Sequence, residues 1–299
     1  MNDDLNQGFF TGKRLLIFGA GYVGGAVAKA FIAEGGAVTA VTRNSPKALA
    51  LSKMGVEAVV GDLVDGNWAA RITGRPEFVL NCVSSGGGGL DGYRHSYLEG
   101  AKTIARWAKE TEQSGHLVYT GSTSVYAQGD GMTVDESMLA ESSEERALVL
   151  LETESRVKTW TNGWTILRLA GIYGPQRHYL LDGLRAGRDA VPGNGETQLN
   201  LVHRDDIVAA ILRVYSIPQV SMNKVFNLVD NGCATKGEIV RWLCSQLQRD
   251  QPTFTGRSAP GRRRFMPSRI ISNEKLKAEL GWSPKFPSYR EGYRDLLGA

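Results

Sequence analysis

The sequence predicts an α/β fold: a doubly wound parallel sheet followed by a smaller C-terminal lobe. Three observations carry that prediction. Short apolar runs alternate with segments of helical periodicity through the first 174 residues, and the first run opens into a glycine-rich turn. Past Gly174-Pro175 the texture changes to shorter segments richer in Gly, Pro and Arg. Such an alternation packs as right-handed β-α-β crossovers, because a parallel strand is reached only through a helix on one face of the sheet.

The first strand, residues 15–18, is wholly apolar and breaks into Gly19-Ala20-Gly21-Tyr22-Val23-Gly24. Val23, Val27, Ala30 and Phe31 then fall on one helical face. In a GxGxxG turn between strand and helix, the first glycine permits the tight turn and the second lets backbone approach a pyrophosphate. The third lets the helix pack close, and the helix N-terminus offers free N–H groups to phosphate. The context on both sides makes this a Rossmann-type dinucleotide site, with Gly19, Ala20, Gly21, Tyr22, Val23 and Gly24 as its cradle.

Residues 37–41 and 57–60 read as the second and third strands, the latter ending at Gly61-Asp62. Residues 78–83 make the fourth. The glycine run 86–89 behind it reads as a mobile flap or loose loop, with no helix start expected directly after it. Tyr97, Ala101, Ile104 and Ala108 share the face of a later helix, and 117–120 form a fifth strand opening into a Ser/Thr-rich loop. A helix over 146–160 and a strand over 165–169 continue the series, and 225–229 is expected to return to the sheet. Residues 1–174, with 200–230, are thus assigned to the dinucleotide-binding domain, and 175–199 with 231–299 to a substrate-binding lobe.

Composition narrows the function. The chain has 299 residues and a net charge of +4, from 35 basic and 31 acidic residues. That balance argues against nucleic acid as a partner, and the absence of a long apolar run argues against a membrane span. The first twelve residues lack the basic and apolar regions of a secretory signal, so a cytoplasmic location is expected. Cys82, Cys233 and Cys244 suit reduced thiols, and the four histidines show no metal-ligand spacing, so no metal is expected.

An acidic residue about 20 positions beyond the glycine turn would mark NAD. The second strand instead ends Val41-Thr42-Arg43-Asn44-Ser45. A guanidinium suits a 2′-phosphate where a carboxylate repels one, so NADP is preferred, with NAD the alternative. Simple solvation of Arg43 is the competing reading.

Further landmarks recur in order. Gly61-Asp62-Leu63, Asn81-Cys82-Val83-Ser84, Gly121-Ser122-Thr123-Ser124-Val125-Tyr126, Arg168 to Pro175, Asn200 to Asp206 and Leu280-Gly281-Trp282-Ser283-Pro284 span nearly the whole chain. The set resembles the extended and atypical short-chain dehydrogenases/reductases, in particular their NAD-dependent epimerase/dehydratase branch. The resemblance implies hydride transfer between a nicotinamide and a small polar or nucleotide-sugar-like substrate. It also implies that Asp62 contacts adenine, that Leu63, Val83 and Ser84 lie along the cofactor, and that a homodimer forms through the helices near 94–111 and 146–160.

The resemblance places the orienting hydroxyl on Ser122, with Thr123 beside it. The family's Tyr and the Lys four residues on are missing: no YxxxK occurs anywhere in the chain. Aligning Glu152 with the Glu that often follows in this helix puts Glu144 at the Tyr position and Leu148 at the Lys position. Glu144 could act as a base, or as an acid if burial raised its pKa; as a solvated charge at a helix start it would do neither. Tyr126 and Tyr173 are the phenols that could substitute, though each reads more readily as a packing residue whose hydroxyl finds a partner, and His203 reads as a structural hydrogen-bonding group. Arg257, Arg262, Arg263 and Arg264 suit a diphosphate or a solvated loop. The leading function is an oxidoreductase or epimerase/dehydratase; a catalytically inactive NADP(H)-binding sensor or scaffold is the alternative.

Overall fold

Seven parallel strands form the central sheet of the computed structural model, which describes residues 8–257 and 267–298. From one edge to the other they run Lys224–Leu228, Trp164–Leu169, His116–Ser122, Phe78–Asn81, Arg14–Phe18, Ala37–Thr42 and Glu57–Val60. The strand order reverses beside Arg14–Phe18, which pairs with both Ala37–Thr42 and Phe78–Asn81. That reversal opens a crevice at the strands' carboxyl ends, where open α/β sheets bind ligands.

Both faces are buried, as the continuous apolar strands require. Leu15 and Ile17 point into one core with Val27, Phe31, Ile207 and Ile211. Leu16 and Phe18 point into the other with Trp68, Ile104 and Trp107. The helices Tyr22–Ala33 and Arg204–Ser216 therefore cover one face, while Gly100–Glu110 lies on the other. Trp68 is fully buried between Phe18 and Trp107, and its indole N–H donates to the Leu63 carbonyl at 3.1 Å. A third core joins Leu181, Leu184, Ile239, Leu243, Tyr293 and Leu296 on the helices Tyr179–Arg185, Lys236–Gln246 and Tyr289–Leu297. The strand Lys224–Leu228 returns from that part of the chain to pair with Trp164–Leu169.

One expectation is corrected. The glycine run is no loose flap, because a helix starts at its last member, Gly89–Arg94. All four glycines have positive φ, between 62° and 104°, which winds the chain tightly into the helix. Gly92 then packs against the Gly87 carbonyl so closely that a Cβ would lie 2.0 Å from it. The helical run continues to Glu110 through a π turn at His95–Glu99.

A buried carboxyl follows the strand Lys224–Leu228. Asp230 is 4% exposed; its Oδ1 accepts the Gly232 N–H at 3.0 Å, and its Oδ2 has no hydrogen-bond partner among the described residues. Burial, with Asp206 and Glu291 nearby, pushes its pKa up to about 8. The folded state thus holds a proton that the unfolded state has released, from the ordinary carboxylate value up to about 8. Stability should fall as pH rises through that window and level off above it. Asp230→Asn, which keeps the Gly232 bond, is expected to stabilise the protein at pH 8 by on the order of 3 kcal/mol. Its stability should also fall less between pH 5 and 8. Urea melts at the two pH values test this, and an unchanged slope would count against it.

Candidate functional site

The glycine turn is built as its chemistry requires. Gly19 has φ +91°, and a Cβ there would lie 2.7 Å from the Cys82 carbonyl; one on Gly24 would lie 2.5 Å from the Gly19 carbonyl. Gly21 is different: the nearest atom to a Cβ there is the Gly19 carbonyl oxygen, 3.9 Å away. The bare backbone of Gly21 therefore borders open space that a side chain would enter. Gly21 also caps the twelve-residue helix Tyr22–Ala33, which carries no acidic residue in its first turn. An anion placed there meets free N–H groups and the positive end of the helix dipole. The residues present thus fit a dinucleotide pyrophosphate.

That space belongs to a cleft of about 420 Å³ at the strand ends. Gly19, Ala20, Gly21, Arg43, Asp62, Leu63, Val83 and Ser84, all expected from the sequence, line it together. Tyr22, Val23 and Gly24 do not. Val23 is buried in the core and Gly24 abuts Gly19. The guanidinium groups of Arg177 and Arg204 lie 5.4 and 5.3 Å from the centre of the Tyr22 ring, and the Tyr22 hydroxyl donates to the Pro175 carbonyl.

At the tip of the second strand, Arg43 reaches Asp62 Oδ2 at 3.5 Å and lies against Gly86. Asn44 accepts the Lys47 N–H at 2.8 Å and so starts the helix Ser45–Ser52, whose Lys47 borders the cleft. Asp62 is the one carboxylate among the described lining residues. Partial burial works against its charge, but the Val64 N–H, His95 and Arg43 outweigh it and hold its pKa below the ordinary value. Lys47, His95 and Ser96 are lining residues that sequence reading missed, while Cys82 belongs to the Asn81-Cys82-Val83-Ser84 segment that the resemblance lays along the cofactor. The Asn44-Ser45-Pro46 helix start was a signal for Lys47. Nothing in the sequence ties His95 to Asp62, 33 residues away.

Ser122, Tyr126 and Glu144 are not among the cleft's lining residues. Ser122 is half-buried, and its Oγ accepts the Ser124 N–H at 3.2 Å. Tyr126 is 1% exposed; its hydroxyl donates to Asn227 Oδ1 at 2.9 Å and accepts from Arg168 at 2.8 Å. Burial raises the pKa of that phenol against the opposing pull of Arg168. Its hydroxyl is spent in the core, which corrects the expectation of a proton donor there. Tyr173 is likewise buried and bonded to the Ser288 carbonyl. His203 Nδ1 accepts the Asp205 N–H and so caps the helix Arg204–Ser216.

Glu144 is corrected as well. It is exposed at the N-cap of the helix Glu145–Val157, and Leu148, aligned with the Lys, is exposed too. The buried acid of that helix is Glu154, 2% exposed and bonded to Arg168 through Nε at 2.9 Å and Nη2 at 2.7 Å. Glu152, by contrast, is 43% exposed. Were Glu154 rather than Glu152 the counterpart of the family's Glu, Arg146 and Leu150 would fall at the Tyr and Lys positions. Leu150 is buried, whereas the half-buried Arg146 lies 5.8 Å from the Tyr93 ring, itself tilted against Tyr97 with ring centres 4.5 Å apart. Of the arginine cluster, Arg262, Arg263 and Arg264 lie outside the described residues.

Strand order, glycine turn and crevice together define a dinucleotide-binding α/β protein of the Rossmann type. More narrowly, the chain belongs to the NAD dependent epimerase/dehydratase family, which it matches over residues 15–228. It is similar to Protein YeeZ of Escherichia coli K12, with 25% identity over 281 residues, covering 92% of this chain and 97% of YeeZ. A functionally unknown conserved protein of Silicibacter pomeroyi shares the fold at TM-score 0.77 and 22% identity, covering 96% of this chain and 98% of that one. The UDP-glucose 4-epimerase of Thermotoga maritima, solved with UDP-glucose, matches at TM-score 0.80 and 19% identity, covering 95% and 99%. Among the described residues no helix is long and apolar enough to cross a membrane.

Proposed function

We propose that this protein is an NADP(H)-dependent oxidoreductase or epimerase/dehydratase acting on a small polar, nucleotide-sugar-like substrate. The observation that carries the reading is the tip of the second strand, where Arg43 and Lys47 border the cleft and no carboxylate takes the place used for NAD. A guanidinium and an ammonium side by side suit a 2′-phosphate. Gly21 and the N–H groups behind it would hold the pyrophosphate, Asp62 would accept from the adenine, and Val83 and Ser84 would flank the chain between them. When bound, the nicotinamide supplies or accepts a hydride. Ser122, at the end of the fifth strand, would orient the substrate oxygen. The substrate would lie between the sheet and the helices of the third core, Tyr179–Arg185, Lys236–Gln246 and Tyr289–Leu297, in a cytoplasmic enzyme whose cysteines stay reduced.

A second reading, dinucleotide binding without turnover, draws on the missing YxxxK: in either register, Glu144 with Leu148 or Arg146 with Leu150, no Tyr-Lys pair results. Arginine does not give up its proton at neutral pH and leucine has none to give. One experiment separates the readings. Fluorescence titration should show NADPH bound at least about tenfold more tightly than NADH, a difference that Arg43→Ala largely removes. Equal affinities in the wild type would sink the NADP assignment. NADPH oxidation is then followed across a panel of sugar nucleotides, aldehydes and ketones. Turnover that Ser122→Ala lowers by about 10²-fold supports the enzyme; tight NADPH binding with no turnover selects the binding protein.

A further inference from the structure

The helical run over 89–110 leaves α geometry once, at the π turn His95–Glu99. An extra residue in a turn rotates one end of a helix against the other by about 100°, and such turns are frequent at functional sites. The first two residues of this one reach the two loops that bound the dinucleotide cleft. His95 Nε2 lies 3.0 Å from Asp62 Oδ1, and Ser96 donates to the Ser85 carbonyl at 3.2 Å. Asp62 Oδ1 also takes the Val64 N–H at 2.9 Å, while its Oδ2 faces Arg43 at 3.5 Å. Histidine, backbone and arginine thus hold the carboxylate from three sides.

We infer that His95 is a positioning residue: it holds Asp62 in the orientation that reads the 6-amino group of the purine, and so selects adenine over 6-oxopurine dinucleotides. The inference rests on the proposed reading of the cleft as an NADP(H) site. An ionised carboxylate only accepts hydrogen bonds; adenine offers an amino donor at position 6, whereas hypoxanthine places a carbonyl acceptor there and its N–H donor at position 1. A site built around one hydrogen bond rejects an analogue that cannot make it. Arg43 alone cannot keep Asp62 in place, since it is also the group assigned to the 2′-phosphate. His95 has no such second task among the described residues, and the π turn fixes where its ring stands.

The test titrates wild type, His95→Ala and His95→Gln with NADPH and with reduced nicotinamide hypoxanthine dinucleotide phosphate, following ligand fluorescence, beside thermal melts. The wild type should favour NADPH by about tenfold or more. His95→Ala should lose most of that preference through weaker NADPH binding, with its melting temperature little changed. His95→Gln, whose amide N–H can still donate to Asp62, should recover it. A wild-type ratio in His95→Ala, or no recovery in His95→Gln, overturns the role of His95. Equal binding of both dinucleotides by the wild type overturns base reading by Asp62. Failure of the wild type to bind either one overturns the NADP(H) reading itself, so the two failures are distinguishable.

Discussion

Glu154→Ala is expected to lower the stability of the folded chain by about 3–5 kcal/mol, the cost of leaving a buried charge without its partner. Arg168 is 6% exposed and meets both oxygens of Glu154 in a two-pronged pair; its remaining prong reaches the Tyr126 hydroxyl. Tyr126 in turn donates to Asn227 on the edge strand, so one network ties the helix Glu145–Val157 to three elements of the sheet side. Removing the carboxylate leaves a guanidinium that is 6% exposed without its ionic partner. Replacing both members, Glu154→Leu with Arg168→Met, should cost less than Glu154→Ala alone, since no charge is then left buried. Tyr126→Phe should cost only about 1–2 kcal/mol, from the unmade bonds of neutral and charged partners. Chemical denaturation measures all three. If Glu154→Ala proved as stable as wild type, the pair would not hold the helix.

Two glycines of one turn should fail in opposite ways. In Gly24→Ala the added Cβ meets the Gly19 carbonyl oxygen at 2.5 Å and the carbonyl carbon at 3.3 Å. Both are backbone atoms of the turn itself, so nothing flexible can yield, and a loss of about 2–3 kcal/mol of stability is expected. In Gly21→Ala the methyl group enters the space beside the cleft, where its nearest neighbour lies 3.9 Å away. Stability should stay within about 0.5 kcal/mol of wild type. NADPH affinity should nonetheless fall at least about tenfold, which is 1.4 kcal/mol, because the methyl occupies the approach the pyrophosphate needs. Thermal melts and NADPH titration of the two variants make the comparison. Wild-type affinity in Gly21→Ala would place the pyrophosphate elsewhere.

The sheet could be read from the sequence because its signals are local. Residues 15–18 are apolar without a break, as a strand buried on both faces must be, and Gly19, Gly21 and Gly24 sit where a strand must turn into a helix. The same holds for Arg43, one residue past the second strand, and for Asp62, two past the third. Each is placed by the strand it follows, so position along the chain translates directly into position at the cleft. The glycine run before residue 90 misled because positive φ serves equally a loose loop and a tight helix entry; only the packing of Gly92 on Gly87 separates the two.

By itself, then, the sequence determined the Rossmann-type sheet, the glycine turn and the arginine at the tip of the second strand, each set by residues that are neighbours in the chain. The tertiary structure alone decided what depends on which side of a helix faces inward and on contacts between distant segments. It buried Glu154 against Arg168 and left Glu152 in solvent, a choice between two acids two residues apart that periodicity could not make. It drew the Tyr126 hydroxyl into the core, left Glu144 exposed, and brought His95 to Asp62 through a π turn that no residue pattern announces. The reason is physical: a strand fixes its side chains by alternation, whereas a helix face and a long-range hydrogen bond are fixed only by what packs against them.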